Sequence, residues 1–171
     1  ADSLDEQRSR YAQTKQAWDN RQMDVVNQLM PTLTTYPLYP YLQYRQITDD
    51  LMNQPALVVT NFIAANPTLP PARSLKSRFV NELARRDDWR GLLAFSPEKP
   101  TGTEAQCNYY YAKWNVGQTQ EAWDGAKALW LSGKSQPNAC DRLFGAWRAS
   151  GQQDPLAYLE RIRLAMKAGN T

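Results

Sequence analysis

Residues 103–117, TEAQCNYYYAKWNVG, decide how this 171-residue chain is read, because residues 136–151, QPNACDRLFGAWRASG, repeat their pattern. Cys107, Tyr110, Tyr111 and Trp114 fall at i, i+3, i+4 and i+7, the spacing of one α-helical face. Cys140, Leu143, Phe144 and Trp147 take the same spacing, each 33 residues further on. Gly117 and Gly151 stand where helix stops belong. Between them, Thr119 to Ser132 predicts a second helix, with Ala122, Ala126, Leu129 and Trp130 on one face and Gly133 ending it.

Helix, turn, helix at a period near 34 is the tetratricopeptide kind of repeat. In such stacks the first helices of successive repeats lie side by side. Cys107 and Cys140, which share one position in the repeat, would then face each other, and a disulfide is expected between them. Two small buried apolar thiols are the alternative.

Working outward, Ser3 and Glu6 form a capping-box pair that opens a first helix. Leu4, Tyr11 and Trp18 mark its apolar side and Asn20 ends it. Met23, Val26, Leu29 and Met30 predict a short partner, stopped before Pro31. Two prolines predict an extended linker from Tyr36 to Pro40. A helix from about Pro40 carries Tyr41, Tyr44, Ile47 and Leu51 to Asn53. Pro55 suits the first position of the next, which presents Leu57, Val58, Phe62 and Ile63 up to Asn66-Pro67.

Pro70-Pro71 opens a helix whose face is Leu75, Phe79, Val80 and Leu83. Asp87 or Asp88 caps its short partner, which holds Trp89, Leu92, Leu93 and Phe95. After the Ser96–Gly102 loop, Thr103 and Gln106 spell another capping box. A last helix starts at Asp154-Pro155, shows Leu156, Leu159, Ile162 and Met166, and stops at Gly169. Breaks at Asn20, Asn53, Asp87, Gly117 and Gly151 are spaced by 33, 34, 30 and 34 residues. The expected fold is therefore all-α: one domain over 1–171, a right-handed α-superhelix (α-solenoid) of about five tetratricopeptide-like hairpins.

The chain has no histidine, which removes histidine bases, histidine metal ligands and Ser–His or Cys–His nucleophiles. Two cysteines cannot build a four-thiolate zinc site, so neither a metal nor a cofactor is expected. A net charge of +3, from 20 basic and 17 acidic residues, is too mild for a nucleic-acid partner. The densest basic stretch, Arg73, Lys76, Arg78, Arg85, Arg86 and Arg90, reads as a solvated helix face. No apolar run reaches 18 residues, so no transmembrane segment is expected. Paired cysteines and an opening Ala1-Asp2-Ser3 point to a mature secreted or periplasmic chain with its signal peptide removed, although an excised segment begins the same way.

At Tyr36-Pro37-Leu38-Tyr39-Pro40-Tyr41-Leu42-Gln43-Tyr44 the chain resembles the soluble lytic murein transglycosylases. Arg85-Arg86-Asp87-Asp88-Trp89 and the Cys107 to Cys140 hairpins fit the same family, and the resemblance covers all 171 residues. It implies the beginning of a superhelical, U-shaped N-terminal domain of a periplasmic enzyme. That enzyme cleaves the MurNAc–GlcNAc bond of peptidoglycan with 1,6-anhydro product. In the family, a distant lysozyme-like domain carries the catalytic glutamate, followed by serine. No Glu-Ser pair occurs in this chain, so no residue here inherits that role and no catalytic residue is expected.

Adjacent carboxyls, Asp49 with Asp50 and Asp87 with Asp88, sit at predicted helix ends, where capping accounts for them. Sugar contact is left to aromatic rings, with Tyr36, Tyr39 and Tyr41 in the proline-rich stretch as the candidates for exposed rings. Two readings follow. One is a monomeric, non-catalytic segment whose partners are the remaining domains of its own chain and, through the parent enzyme, peptidoglycan glycan strands. The other is a free-standing α-solenoid that binds a protein.

Overall fold

A computed structural model describes residues 3–132, 138–152 and 155–169, and every regular element among them is helical. The order is α1 (Leu4–Asp19), α2 (Met23–Leu29), a 3-10 turn (Met30–Leu33), α3 (Tyr39–Asp49), a 3-10 turn (Leu51–Asn53), α4 (Ala56–Ala65), α5 (Pro70–Arg85), α6 (Trp89–Phe95), α7 (Thr103–Asn115), α8 (Thr119–Trp130), α9 (Ala139–Ala149) and α10 (Pro155–Lys167). Within hairpins α1 packs on α2, α3 on α4, α5 on α6 and α7 on α8. Between hairpins α5 meets α7 and α7 meets α9, while α4 meets α6 and α8 meets α10. The first helices α5, α7 and α9 thus line one layer, and second helices meet as the pairs α4–α6 and α8–α10, the stacking of an α-superhelix.

Three successive cores follow from this stacking. The first joins α1, α2 and Leu42 of α3 around Trp18, Leu33 and Tyr36. The middle one gathers Val59, Phe62, Leu75, Phe79, Val80, Leu83 and Leu92, with Tyr109 from α7. The last holds Cys107, Trp123, Trp130, Cys140, Leu143, Phe144 and Trp147. Helix α7 feeds two cores, which is why Ala105, Cys107, Asn108, Tyr109 and Ala112 are all buried.

The turns that follow α1, α5 and α7 share one backbone device. Arg21, Asp87 and Gly117 adopt φ of 57°, 55° and 90°. The next amide then reaches back five residues: Gln22 N to Ala17 O at 2.8 Å, Asp88 N to Leu83 O at 3.0 Å, and Gln118 N to Lys113 O at 2.8 Å. These are Schellman caps, which satisfy the last free carbonyls of α1, α5 and α7. Gly151, at φ 75°, takes the corresponding place after α9.

Several expectations need correction. Tyr36 to Pro40 is a turn rather than an extended linker: Tyr36 N donates to Leu33 O and Tyr39 N to Tyr36 O, both at 2.9 Å. Pro40 falls in the first turn of α3, where no N–H is needed. Pro31 likewise lies inside a 3-10 turn, which prolongs α2. Pro55 is the N-cap of α4 rather than its first residue. The second capping box does not form, because Gly102 occupies the N-cap of α7 and Gln106 Nε2 donates to Pro100 O instead.

Burial also departs from the apolar pattern. Leu4, Leu57 and Val58 are exposed, and Leu42 and Val59 take inward places. Helix α4 is apolar on every side, so periodicity cannot choose its face. On α10, Leu156, Leu159, Ile162 and Met166 are 72%, 61%, 44% and 71% exposed. The expected boundaries at Gly133 and Asp154 lie outside the described residues.

Polar groups close the seams. Ser3 Oγ accepts from the Glu6 amide as expected. At the end of α5, Glu82 is buried and accepts from Arg85 Nε at 2.7 Å and Nη2 at 2.7 Å. Arg86 Nη2 donates to Leu51 O and Gln54 O, tying α5 to the turn before α4. Hydrogen bonding from Arg85 holds the Glu82 carboxyl below its ordinary range; burial opposes this, and the charges of Arg85 and Arg86 add to it.

A carboxyl depressed by folding stabilises above its unfolded value, about 4.3, and the gain is lost as pH falls through the lower folded value. Urea midpoints should therefore fall more steeply below about pH 4 in the wild type than in Glu82→Gln; parallel acid limbs would contradict this. A second expectation concerns packing. A Cβ on Gly125 would meet the Tyr110 ring at 2.4 Å, whereas one on Gly145 meets nothing within 4 Å. Gly125→Ala should cost about 1–3 kcal/mol in urea unfolding. Gly145→Ala should be neutral or stabilising by up to about 1 kcal/mol.

Candidate functional site

Cys107 and Cys140 are bonded, with Cα atoms 5.0 Å apart across the α7–α9 seam. Both are fully buried, among Trp130, Phe144 and Trp147, whose rings meet edge-on at 4.9 Å (Trp130–Phe144) and 6.3 Å (Trp130–Trp147). A sulfur pair sealed this way acts on stability, because attack on a disulfide needs access to it.

A row of rings, of which Trp114 is exposed, Trp89 and Tyr111 are half-buried and Trp123 is buried, runs along the edge where α6 and α8 begin and α7 ends. Trp89 meets Tyr111 at 5.2 Å, Tyr111 meets Trp114 at 5.4 Å, and Trp114 meets Trp123 at 6.1 Å. Trp114 is 36% exposed. The Arg142 guanidinium lies over Tyr111 at 4.8 Å and over Trp89 at 5.0 Å, and pairs with Asp87 at 3.3 Å. Cation–π contact and ion pair together hold this row in place.

The tyrosines singled out from sequence fare differently. Tyr36 is not an exposed ring: it is 8% exposed, with its ring centroid 5.3 Å from that of Tyr11. The turn that replaces the expected linker folds Tyr36 back into the first core. Tyr39 is half-buried and packs on the same core, and Tyr41 is exposed.

Both carboxyl pairs serve structure. Asp49 accepts from Trp18 Nε1 at 2.6 Å and pairs with Arg21, while Asp50 accepts from Asn53. Asp88 caps α6 through the Gly91 amide, and Asp87 holds Arg142. Paired carboxyls that work on a glycosidic bond must instead face each other across a sugar site.

Sequence reasoning missed a cleft of about 360 Å³ between the start of α5 and the 96–102 loop. Ile63, Ala72 and Pro100 give it an apolar lining, with Arg73, Lys76, Lys99 and Glu98 around them. One signal was available: Arg73 stands near the positive end of α5, where acidic residues are favoured and none occurs in the first turn.

No protein-family model matches the chain. It is 85% identical over all 171 residues to the soluble lytic murein transglycosylase of Escherichia coli K12. The chain is a close relative of soluble lytic murein transglycosylase. The corresponding protein of Salmonella typhimurium is 82% identical over the same length. In both cases the chain spans about a quarter of the relative, 26% of its length. The crystal structure of the 70 kDa soluble lytic transglycosylase of Escherichia coli superposes with a TM-score of 0.97 at 84% identity, over 98% of this chain and 27% of that one. The lytic transglycosylase Slt of Pseudomonas aeruginosa, solved as an inactive mutant, gives 0.84 at 34% identity, over 93% of this chain and 26% of that one. The fold described above is therefore matched, over 98% of the chain, by about a quarter of a soluble lytic transglycosylase.

The disulfide spans 33 residues of sequence, a separation for which chain-entropy reasoning gives about 3–4 kcal/mol. Replacing both cysteines by alanine should lower the unfolding free energy by about that amount. Reduction of the wild type should approach the same urea midpoint, and an unchanged midpoint would contradict a structural role.

Proposed function

We propose that this chain is a non-catalytic superhelical segment of a peptidoglycan lytic transglycosylase, forming the N-terminal part of its U-shaped domain. The parent would cleave the MurNAc–GlcNAc bond in cell-wall turnover, in the periplasm, after removal of a signal peptide. The observation that carries this reading is the end-to-end match to a quarter of much longer relatives. The exposed apolar side of α10 supports it, since a solenoid helix presents such a side to the next one in the stack. No helix among the described residues is long and apolar enough to cross a membrane.

The segment's part in that enzyme is mechanical. Stacked hairpins make a wall with three successive cores, the last two bridged by Tyr110, so it can hold other domains at a fixed spacing. Its two adjacent carboxyl pairs, Asp49 with Asp50 and Asp87 with Asp88, are engaged in a helix cap, ion pairs and hydrogen bonds, and acid catalysis is assigned to another domain of the parent. A murein zymogram tests this division: the 171-residue chain should leave no cleared band and show at most weak retention on sacculi, whereas the parent enzyme should clear. A cleared band from the chain alone would overturn the reading. A native polypeptide of this mass acting without further domains would favour a free-standing protein-binding solenoid.

A further inference from the structure

The cleft beside α5 holds charge that the fold leaves unengaged. Arg73, Lys76 and Lys99 line it against one carboxylate, Glu98, and none of the three cations has an ion pair or side-chain hydrogen bond among the described residues. Arg73 and Lys76 sit in the first two turns of α5, where no acid offsets the positive helix end. An anion in the cleft would relieve the helix end and the cations together. The wall is braced: Ser77 Oγ and Thr101 Oγ1 are 3.1 Å apart, and Ser77 Oγ also donates to Thr101 O at 2.8 Å. Behind the charges lie buried Ala72 and Pro100 and half-buried Ile63. A volume near 360 Å³ falls at the small end of ligand pockets.

We propose that this cleft binds a short peptide through its carboxylates. A bare phosphate would satisfy the cations and gain nothing from the apolar wall. A peptide with free carboxylates satisfies both, and its N–H groups can donate to Glu98. The inference deepens the reading given under Proposed function, on which the peptide part of peptidoglycan is the implied source.

Isothermal titration of the chain with the tripeptide Ala-Glu-Ala, free at its C-terminus, tests this against Ala-Gln-Ala amide and against inorganic phosphate. The acidic tripeptide should bind in the range of about 0.1–1 mM and weaken with salt. Its amide counterpart, phosphate, and the Arg73→Ala/Lys76→Ala double variant should each bind at least tenfold more weakly. Lys99→Ala should weaken binding as well, and Lys15→Ala, remote in sequence and outside the cleft lining, should leave it unchanged. Both α5 side chains are exposed, so the double variant should melt as the wild type does. Equal binding of the amide, phosphate binding as tightly as the tripeptide, no heat from the acidic tripeptide at millimolar concentration, or an unaffected double variant would each overturn the proposal. A cleared zymogram would sink the segment reading and leave this result standing. Loss of tripeptide binding would sink the cleft alone.

Discussion

Helix α7 is held at two points, and the geometry of the last three hairpins depends on both. Near its start the bond to Cys140 brings the α7 and α9 backbones to 5.0 Å at Cα. One turn on, Tyr110 lies flat against the place where Gly125 of α8 has no side chain. The first contact fixes α7 along the layer of first helices, and the second fixes it against its hairpin partner. Rotation of α7 about its own axis would break one or the other. With the helix so fixed, Tyr109 must enter the middle core, and Tyr111 with Trp114 must emerge toward Trp89 and Trp123. The aromatic row is a consequence of that constraint, and Arg142 covers the part of it nearest α9.

How far the fold could be read depended on whether a residue had one partner surface or two. Helix α9 packs mainly on one side, and its whole predicted face, Cys140, Leu143, Phe144 and Trp147, is buried as spacing required. Helix α5 is similar, with Leu75, Phe79, Val80 and Leu83 inside. Helix α7 touches four neighbours, so its buried set has no single face and Asn108, paired with Asn81, belongs to it. Helix α4 fails for the opposite reason: with apolar residues all round, nothing in its pattern separates Val59, which is buried, from Leu57, which is 69% exposed.

Turns tell the same story at backbone level. A Schellman cap needs one residue at positive φ, and glycine announces it at Gly117. Arg21 and Asp87 adopt the same conformation without that announcement. Asp tolerates that conformation better than most residues, and Arg does not. Both side chains also reach other hairpins, Arg21 to Asp49 on the next one and Asp87 to Arg142 two along. Hence the repeat period was readable in all five breaks, while the cap shared by three of them was announced by glycine only at Gly117.

The candidate site was the least readable part, because its charges come from two strands of reasoning that sequence keeps apart. Arg73 and Lys76 look like the solvated face of a helix, and Lys99 like a loop cation, until the 96–102 loop folds over the start of α5. The fold has uses for basic residues elsewhere: Arg86 latches a turn, Arg142 covers rings, and Arg45 pairs with Asp19 and lies over Trp18. Cations with structural duties in this molecule meet carbonyls, carboxylates or aromatic faces at close range. Among the described residues Arg73, Lys76 and Lys99 do not, and neither do Arg90, Lys127, Arg148 and Lys167; the first three differ in being gathered around one apolar hollow. The hollow lies outside the three buried cores apart from Ala72, so recognition can reside there without disturbing the stack.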